Sequence, residues 1–206
     1  MKSVELTLPG EASYDQACAF ASEVYAKELG VHLSHFPEAL FTIADGTRVV
    51  GCIGLNLSLH SPLFAQDARL SVLRQADPHL AYCEQSILAL RHFSIGLPIL
   101  ISVAARYAQI NHKDRVVYAA IGVSQKTIRH LGFETQEYGK VDLSLLPDEV
   151  RPQYEFWQQT FDPVCCFLKT QRAGMIYSTL LQRLGGKVML APRLQAILSD
   201  SERKAA

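Results

Sequence analysis

Tyr82-Cys83-Glu84-Gln85-Ser86-Ile87-Leu88-Ala89-Leu90, running on into Arg91-His92-Phe93-Ser94-Ile95-Gly96, is the stretch on which the fold turns. Tyr82 to Leu90 is largely apolar and reads as a strand. Gly96 to His112 reads as a helix with a nearly all-apolar first half, hence buried. Pro98 falls in its first turn, where a missing N–H does little harm. Arg115 to Ile121, Arg-Val-Val-Tyr-Ala-Ala-Ile, is a short β-rich run. Strand, helix and strand in that order form one βαβ crossover, which makes the two strands parallel neighbours joined right-handedly.

Outward from this unit the pattern alternates between the two periods. Ser3 to Leu8 alternates as a strand would. Ser13 to Leu29 reads as a helix, with Ser13 as its cap and Gly30 as its stop. Ala39 to Ile43 and Arg48 to Leu57 read as strands joined by Ala44-Asp45-Gly46-Thr47, a turn signal because Asp-Gly supplies positive φ. His60 to His79, bounded by Pro62 and Pro78, reads as a loop over the sheet with a short helix at Ala65 to Arg74. Beyond the crossover come a short helix at Ser124 to Leu131, a strand at Gln136 to Leu145, a helix at Asp148 to Phe161 with Asp148 as N-cap, and a strand at Val164 to Thr170. The segment from 173 onward holds an amphipathic stretch with Ile176, Leu180, Leu181 and Leu184 at helical spacing, a Gly185-Gly186 break and a frayed polar end. The expected class is α/β, a mixed sheet with helices on its faces. Residues 1–172 are the expected core and 173–206 an extension packing on it, with a dimer contact or a membrane face as its alternatives.

The chain has 206 residues, 49% hydrophobic and 19% charged, enough for one domain with a sizeable core. Lys plus Arg and Asp plus Glu are 20 each, so the net charge is zero. That balance argues against a nucleic-acid binder and against bulk attraction to anionic membranes. Five cysteines, Cys18, Cys52, Cys83, Cys165 and Cys166, are odd in number and lack C-x-x-C spacing. They point to a reducing cytoplasm rather than to a disulfide or zinc framework. No signal peptide is legible, and the longest apolar stretch, Ile95 to Ala105, is too short to span a bilayer. His32, His35, His60, His79, His112 and His130 show no metal-ligand spacing, so no metal is expected.

A helix starting near Gly96 points unpaired N–H groups toward the end of the preceding strand, and these with the helix dipole favour an anion. Gly96 permits close approach of a ligand, Ser94 adds a hydroxyl, and Arg91 could pair with a phosphate. Glu84 is a carboxylate in an apolar strand. It could serve as general base, or it could simply pair with Arg91 or Arg106. His92 could also be a base. The aromatic cluster Phe156, Trp157 and Phe161 is explained by packing or by an acyl-chain wall. Cys165-Cys166 sits in an apolar strand, where burial opposes the thiolate that a nucleophile needs.

Arg91-His92-Phe93-Ser94-Ile95-Gly96 fits the pattern R-x-x-G-x-G/A, with Ser94 at the first glycine position. Thr127-Ile128-Arg129-His130-Leu131-Gly132-Phe133 looks like a short helix followed by Leu-Gly-Phe. On these motifs, and on element order from Ser13 to Thr170, the chain resembles the Gcn5-related N-acetyltransferase (GNAT) superfamily. Glu84 to Ala89, and Trp157 with Asp162-Pro163-Val164, are similar to segments of the bacterial family named after thermostable hemolysin. A more distant likeness is to acyl-homoserine-lactone synthases.

The resemblance implies a mostly antiparallel, twisted mixed sheet. It also implies an N-acyltransferase acting by direct transfer from a thioester to a small-molecule amine. The donor would be coenzyme A or the phosphopantetheine of an acyl carrier protein. Its phosphate would rest on Arg91, Ser94, Ile95 and Gly96, and its pantetheine arm on main-chain groups of Leu88 and Leu90. Glu84 would take the amine proton. A tyrosine of the superfamily that protonates the leaving thiolate has Ile128 in its place, so Tyr118, Ser124 or Tyr138 would substitute, or the thiolate leaves unaided. The likeness also implies alternatives. These are an amino-acid- or S-adenosylmethionine-accepting enzyme like the autoinducer synthases, a non-catalytic thioester-binding module, and a membrane-active protein of the hemolysin name. The set of Arg, Trp and Asp residues of signal synthases has no match, because Trp157 is the only tryptophan.

Overall fold

The β-strand Tyr82–Leu90, the helix Gly96–Ile110 and the strand Arg115–Ala120 form the expected crossover at the middle of the molecule. The computed structural model describes residues 2–91 and 95–203; the expectations placed on His92 and Ser94 lie outside the described residues. In chain order the elements are β1 (Lys2–Thr7), α1 (Ala12–Leu29), β2 (Ala39–Asp45), β3 (Arg48–Asn56), α2 (Pro62–Ala65), α3 (Ala68–Ala76), β4 (Tyr82–Leu90) and α4 (Gly96–Ile110). They continue with β5 (Arg115–Ala120), α5 (Gly122–His130), β6 (Thr135–Lys140), α6 (Arg151–Phe161), β7 (Val164–Lys169), α7 (Ala173–Leu184), β8 (Val188–Leu190) and α8 (Pro192–Arg203). The strands form one sheet in the order β6-β7-β5-β4-β3-β2-β1-β8. Only β4/β5 and β1/β8 are parallel among the described pairs, so the sheet is mostly antiparallel, as expected.

Strand alternation sorts the apolar residues onto two faces. On one, Phe41, Ile43, Ile53, Leu55, Val116 and Tyr118 pack under α4, α7 and α8 in the largest core cluster. The helix α4 is buried nearly all round, with Leu97, Ile99, Leu100, Ile101, Val103 and Ala104 inaccessible. The other face carries two separate clusters. One joins Tyr14, Ala17, Phe20 and Ala21 of α1 to Leu40, Cys52, Ile87 and Ala89. The other joins Phe64, Leu70, Leu143 and Leu146 to Tyr82, Val117, Cys165 and Phe167. The gap between these two clusters is where the candidate site lies.

Several boundaries differ from the sequence expectation, each for a local reason. Ser13 does not cap α1; Glu11 stands at the N-cap position and its carboxylate accepts from Leu8 N–H (2.9 Å). Asp148 does not cap α6, which begins at Arg151; its carboxylate pairs with Arg151 instead (2.7 Å). The expected strand Gln136 to Leu145 ends at Lys140, because Asp142 accepts from Ser144 N–H (3.0 Å) and starts a 3₁₀ turn, Leu143–Leu145. The expected helix Ala65 to Arg74 is two helices, since Asp67 caps α3 by accepting from Arg69 and Leu70 N–H. Beyond residue 172 lies an element that periodicity did not show. The three-residue β8 adds to β1, with Lys2 opposite Val188 and Val4 opposite Leu190.

Candidate active site

The strand β4 binds β3 from Glu84 to Leu90, but it pairs with β5 only through Tyr82, Cys83 and Glu84, opposite Arg115, Val116 and Val117. Past Glu84 the two parallel strands part. The register against β3 slips between Gly54–Ile87 and Leu55–Gln85, which leaves Ser86 as the extra residue of a bulge. Arg91 N–H donates to Val50 O (3.1 Å), so by alternation Leu88 and Leu90 turn their N–H groups to the opposite edge, into the opening. A strand edge exposed in this way seeks hydrogen bonds from something other than the sheet.

A cavity of about 1410 Å³ fills the opening and the gap between the two apolar clusters. Its floor is β4 from Glu84 to Leu90, and its walls come from α1, the loop before β2, α2 and α6. It exceeds the several hundred Å³ usual for small-molecule sites. Much of the wall is apolar: Leu33, Phe36, Leu63, Phe64, Tyr154 and Trp157 all contribute. None of the α6 residues is fully buried, although Tyr154 and Trp157 meet edge to face (6.1 Å).

Glu84 lies on this floor and is 1% exposed. Its Oε2 accepts from His60 N–H (2.8 Å) and Ser61 N–H (2.9 Å). Its Oε1 is buried with no hydrogen-bond partner. An unpaired carboxylate oxygen beside a cavity is a costly arrangement unless a ligand completes it. Neither Arg91 nor Arg106 pairs with it, so the alternative of an ordinary ion pair is not what the structure shows. Around Glu84 a polar corner forms that sequence reading missed. His60 Nε2 lies 2.8 Å from Glu38 Oε1, Glu38 Oε2 accepts from Leu57 N–H (3.0 Å), and Asn56 Oδ1 accepts from Glu38 N–H (2.9 Å). Those hydrogen bonds, the Leu57 N–H before the His60 imidazole, hold the Glu38 carboxyl below its usual range against the opposing effect of burial. No sequence spacing links residues 38, 60 and 84; the sheet register brings them together.

Away from Glu84 the lining is charged, with Lys27, Arg48 and Arg91 set among Glu23 and Glu28. Arg91 donates to both carboxylate oxygens of Glu23 (3.0 and 2.9 Å) and lies over the Phe20 ring (5.5 Å), so a phosphate there would share or displace Glu23. The helix α4 starts at Gly96 with Ile95 at its N-cap position and no side-chain cap, leaving its first-turn N–H groups to other partners. Gly96 is buried, and a Cβ there would press on Leu90 Cδ2 (3.2 Å), so this glycine also lets α4 pack on β4.

Of the expected site residues, Glu84, Leu88, Leu90 and Arg91 share the cavity. Ile95 and Gly96, at the head of α4, are not among the residues that line it. Tyr118 is not brought in. It sits on the α4 face among the core residues, 1% exposed, because its neighbours Val117 and Ala119 take the cavity face of β5. Ser124 lines the cavity, but its hydroxyl is spent on Ile121, donating to the carbonyl (2.8 Å) and accepting from the N–H (3.2 Å). The Tyr138 hydroxyl is buried away from it. Cys165 and Cys166 are buried, and burial pushes Cys165 up to about 11 and Cys166 in the same direction, against a nucleophilic role. No group of three or more His, Cys, Asp or Glu side chains among the described residues is placed to hold a metal ion. Among those residues, too, no helix is long and apolar enough to cross a membrane.

No protein-family profile and no curated protein matches the sequence. Solved structures do match the fold. One is a CoA-dependent acyl-homoserine lactone synthase, BjaI, with SAM and isopentyl-CoA (TM-score 0.58, 15% identity, all of both chains covered). A second is another CoA-dependent acyl-homoserine lactone synthase, MesI (TM-score 0.59, 15% identity, 92% of this chain and 99% of that one). A third is FeeM, an N-acyl amino acid synthase from uncultured soil microbes (TM-score 0.57, 14% identity, 88% and 98%). The chain has a GNAT-like fold, as its motifs implied.

Proposed function

We propose that this protein is an N-acyltransferase that moves an acyl group from a thioester to the amine of a small molecule. The observation that carries the reading is the parting of β4 from β5 beside the unpartnered Oε1 of Glu84, inside one cavity. Beyond the Leu88 N–H, which Tyr25 already holds, the open β4 edge offers its remaining main-chain groups at Leu88 and Leu90 to the amides of a pantetheine arm, which takes the place of a missing strand. Arg91 at the end of β4, sharing or giving up Glu23, and the uncapped first turn of α4 suit the donor's phosphate. The polar corner at Glu84 suits a cationic amine. The apolar wall between them favours an acyl chain longer than acetyl, since each buried methylene adds about 0.8 kcal/mol.

The amine nitrogen attacks the thioester carbonyl carbon, the C–N bond forms, and the C–S bond breaks with its electron pair leaving on sulfur. Glu84, directly or through water, takes the proton from nitrogen. Holding both reactants on one strand supplies much of the acceleration. The reading extends to a donor that is either coenzyme A or a loaded carrier protein. An amino-acid-type acceptor is the first to test, because BjaI was solved with SAM and FeeM is an N-acyl amino acid synthase.

The test is release of free thiol from acyl-CoA thioesters of increasing chain length, with a panel of amines and amino acids. Amine-dependent release that rises with chain length, and falls at least about 100-fold in Glu84→Gln, is the expected result. If no thioester binds and no thiol is released with any amine, the reading is wrong.

A further inference from the structure

Leu88 N–H is one of the two β4 donors that face the opening, and it does not meet solvent. It donates to the phenol oxygen of Tyr25, which reaches over from α1 (3.2 Å). Tyr25 lines the same cavity. Its own O–H has no acceptor among the described residues, so the proton is free to point into the cavity. Nothing in the amphipathic pattern of α1 sets Tyr25 apart from Val24 or Phe20; the approach of α1 to β4 does.

We propose that Tyr25 is a catalytic residue whose O–H donates to the carbonyl oxygen of the bound thioester, carrying the Leu88 N–H dipole onward to the reacting carbon. This rests on the acyl-transfer reading above. As nitrogen attacks, negative charge gathers on the carbonyl oxygen and must be met by donors already in place. A phenol that is itself receiving a hydrogen bond is a stronger donor than a free one. Burial pushes the Tyr25 phenol above its ordinary value, so it keeps its proton throughout the working range. The hydroxyls that the sequence offered for protonating the leaving thiolate are no rivals for this role, because they fail on position. Tyr118 faces the α4 core, Tyr138 is enclosed elsewhere, and Ser124 is committed to Ile121. Ile128, 1% exposed, offers no hydroxyl at all.

Tyr25→Phe keeps the ring and deletes only the O–H. With the best thioester and amine found for the wild type, kcat should fall about 100- to 1000-fold, while the dissociation constant for the thioester stays within twofold. An unchanged kcat overturns the proposal. So does a higher kcat with tighter donor binding, which would make Tyr25 a plug on the β4 edge. Should Tyr25→Phe not fold, 3-fluorotyrosine at position 25 keeps both packing and hydroxyl while making the phenol more acidic. At a pH where the phenol stays protonated, kcat should then change with each added ring fluorine, because a more acidic phenol is a stronger hydrogen-bond donor, while thioester binding holds. A kcat indifferent to fluorination also overturns the proposal. Failure of the wild type to bind or turn over any thioester speaks instead against the acyl-transfer reading, and the Tyr25 experiment is read only against an active wild type.

Discussion

Glu84 divides its carboxylate between structure and chemistry, and two substitutions separate them. Oε2 ties down the loop at His60 and Ser61, while Oε1 is left for the cavity. Glu84→Gln keeps an oxygen for the two N–H groups, so its urea midpoint should stay close to wild type while turnover is lost. Glu84→Ala strands two donors in a buried place and should cost about 2–6 kcal/mol of stability as well, at about 1–3 kcal/mol for each unsatisfied group. Equal activity in Glu84→Gln and wild type would leave the residue with the loop-holding task alone. Glu84 stood out in the sequence because a carboxylate in Tyr-Cys-Glu-Gln-Ser-Ile-Leu is out of keeping with its neighbours. Glu38, His60 and Tyr25 did not, because each is ordinary in its own segment and acquires meaning only from its partner across the fold.

At the level of elements, the cavity wall depends on how closely the loop before β2 is held. Gly54 faces Pro37 at the β3 bulge, where a Cβ would collide with the proline ring and press on Ile87 Cβ (3.2 Å). Pro37 O in turn accepts from the Tyr14 hydroxyl (2.7 Å), which anchors the loop to α1. Gly54→Ala should therefore lower stability by about 1–3 kcal/mol, read by chemical denaturation, and weaken donor binding by moving the wall at Phe36. The start of α3 is held by Asp67, whose carboxylate is 2% exposed and pairs with Arg69 (2.6 Å). Burial opposes ionisation of Asp67, but the Arg69 guanidinium and the Arg69 and Leu70 N–H groups outweigh it and hold the carboxyl below its usual range. Because the folded value is the lower one, this contribution is complete above the unfolded value of about 3.9 and is lost as pH falls toward the folded one. Acid unfolding should accordingly begin near pH 4, and Asp67→Asn should flatten that limb; an unchanged acid limb would show that Asp67 contributes nothing there. The long polar loop was legible as a cover for the sheet, but its division at Asp67 was not, since both halves are mildly helical and only the cap decides.

For the molecule as a whole, the segment after residue 172 bears on stability more than its amphipathic pattern conveys. Ile176, Tyr177, Leu184, Val188, Leu194 and Leu198 belong to the largest core cluster, β8 covers the free edge of β1, and Arg193 pairs with Glu11 at the start of α1. A chain stopped at 172 should be aggregation-prone, because it uncovers both an apolar face and a strand edge; a soluble, monomeric, cooperatively unfolding 1–172 would refute this. The thiols give a second global readout. Cys52, Cys83, Cys165 and Cys166 are buried, and burial pushes Cys52 and Cys83 up to about 12. At neutral pH a thiol reagent should label only the half-exposed Cys18 on a short timescale and reach the other four at the rate of unfolding. Rapid labelling of all five would mean that the sheet opens locally.

Periodicity and composition sufficed for the elements of the central βαβ unit, the hairpin of β2 and β3, and the helix α4, because each declares itself by a local burial pattern that repeats at 2 or 3.6. The motif at residues 91–96 likewise pointed to the GNAT-like fold. Which side of β5 faces the cavity, how far β4 and β5 stay paired, and that Leu88 N–H finds Tyr25 were decided only in three dimensions. A strand's register and an α-helix's approach depend on residues far away in the chain, whose mutual placement no local pattern encodes.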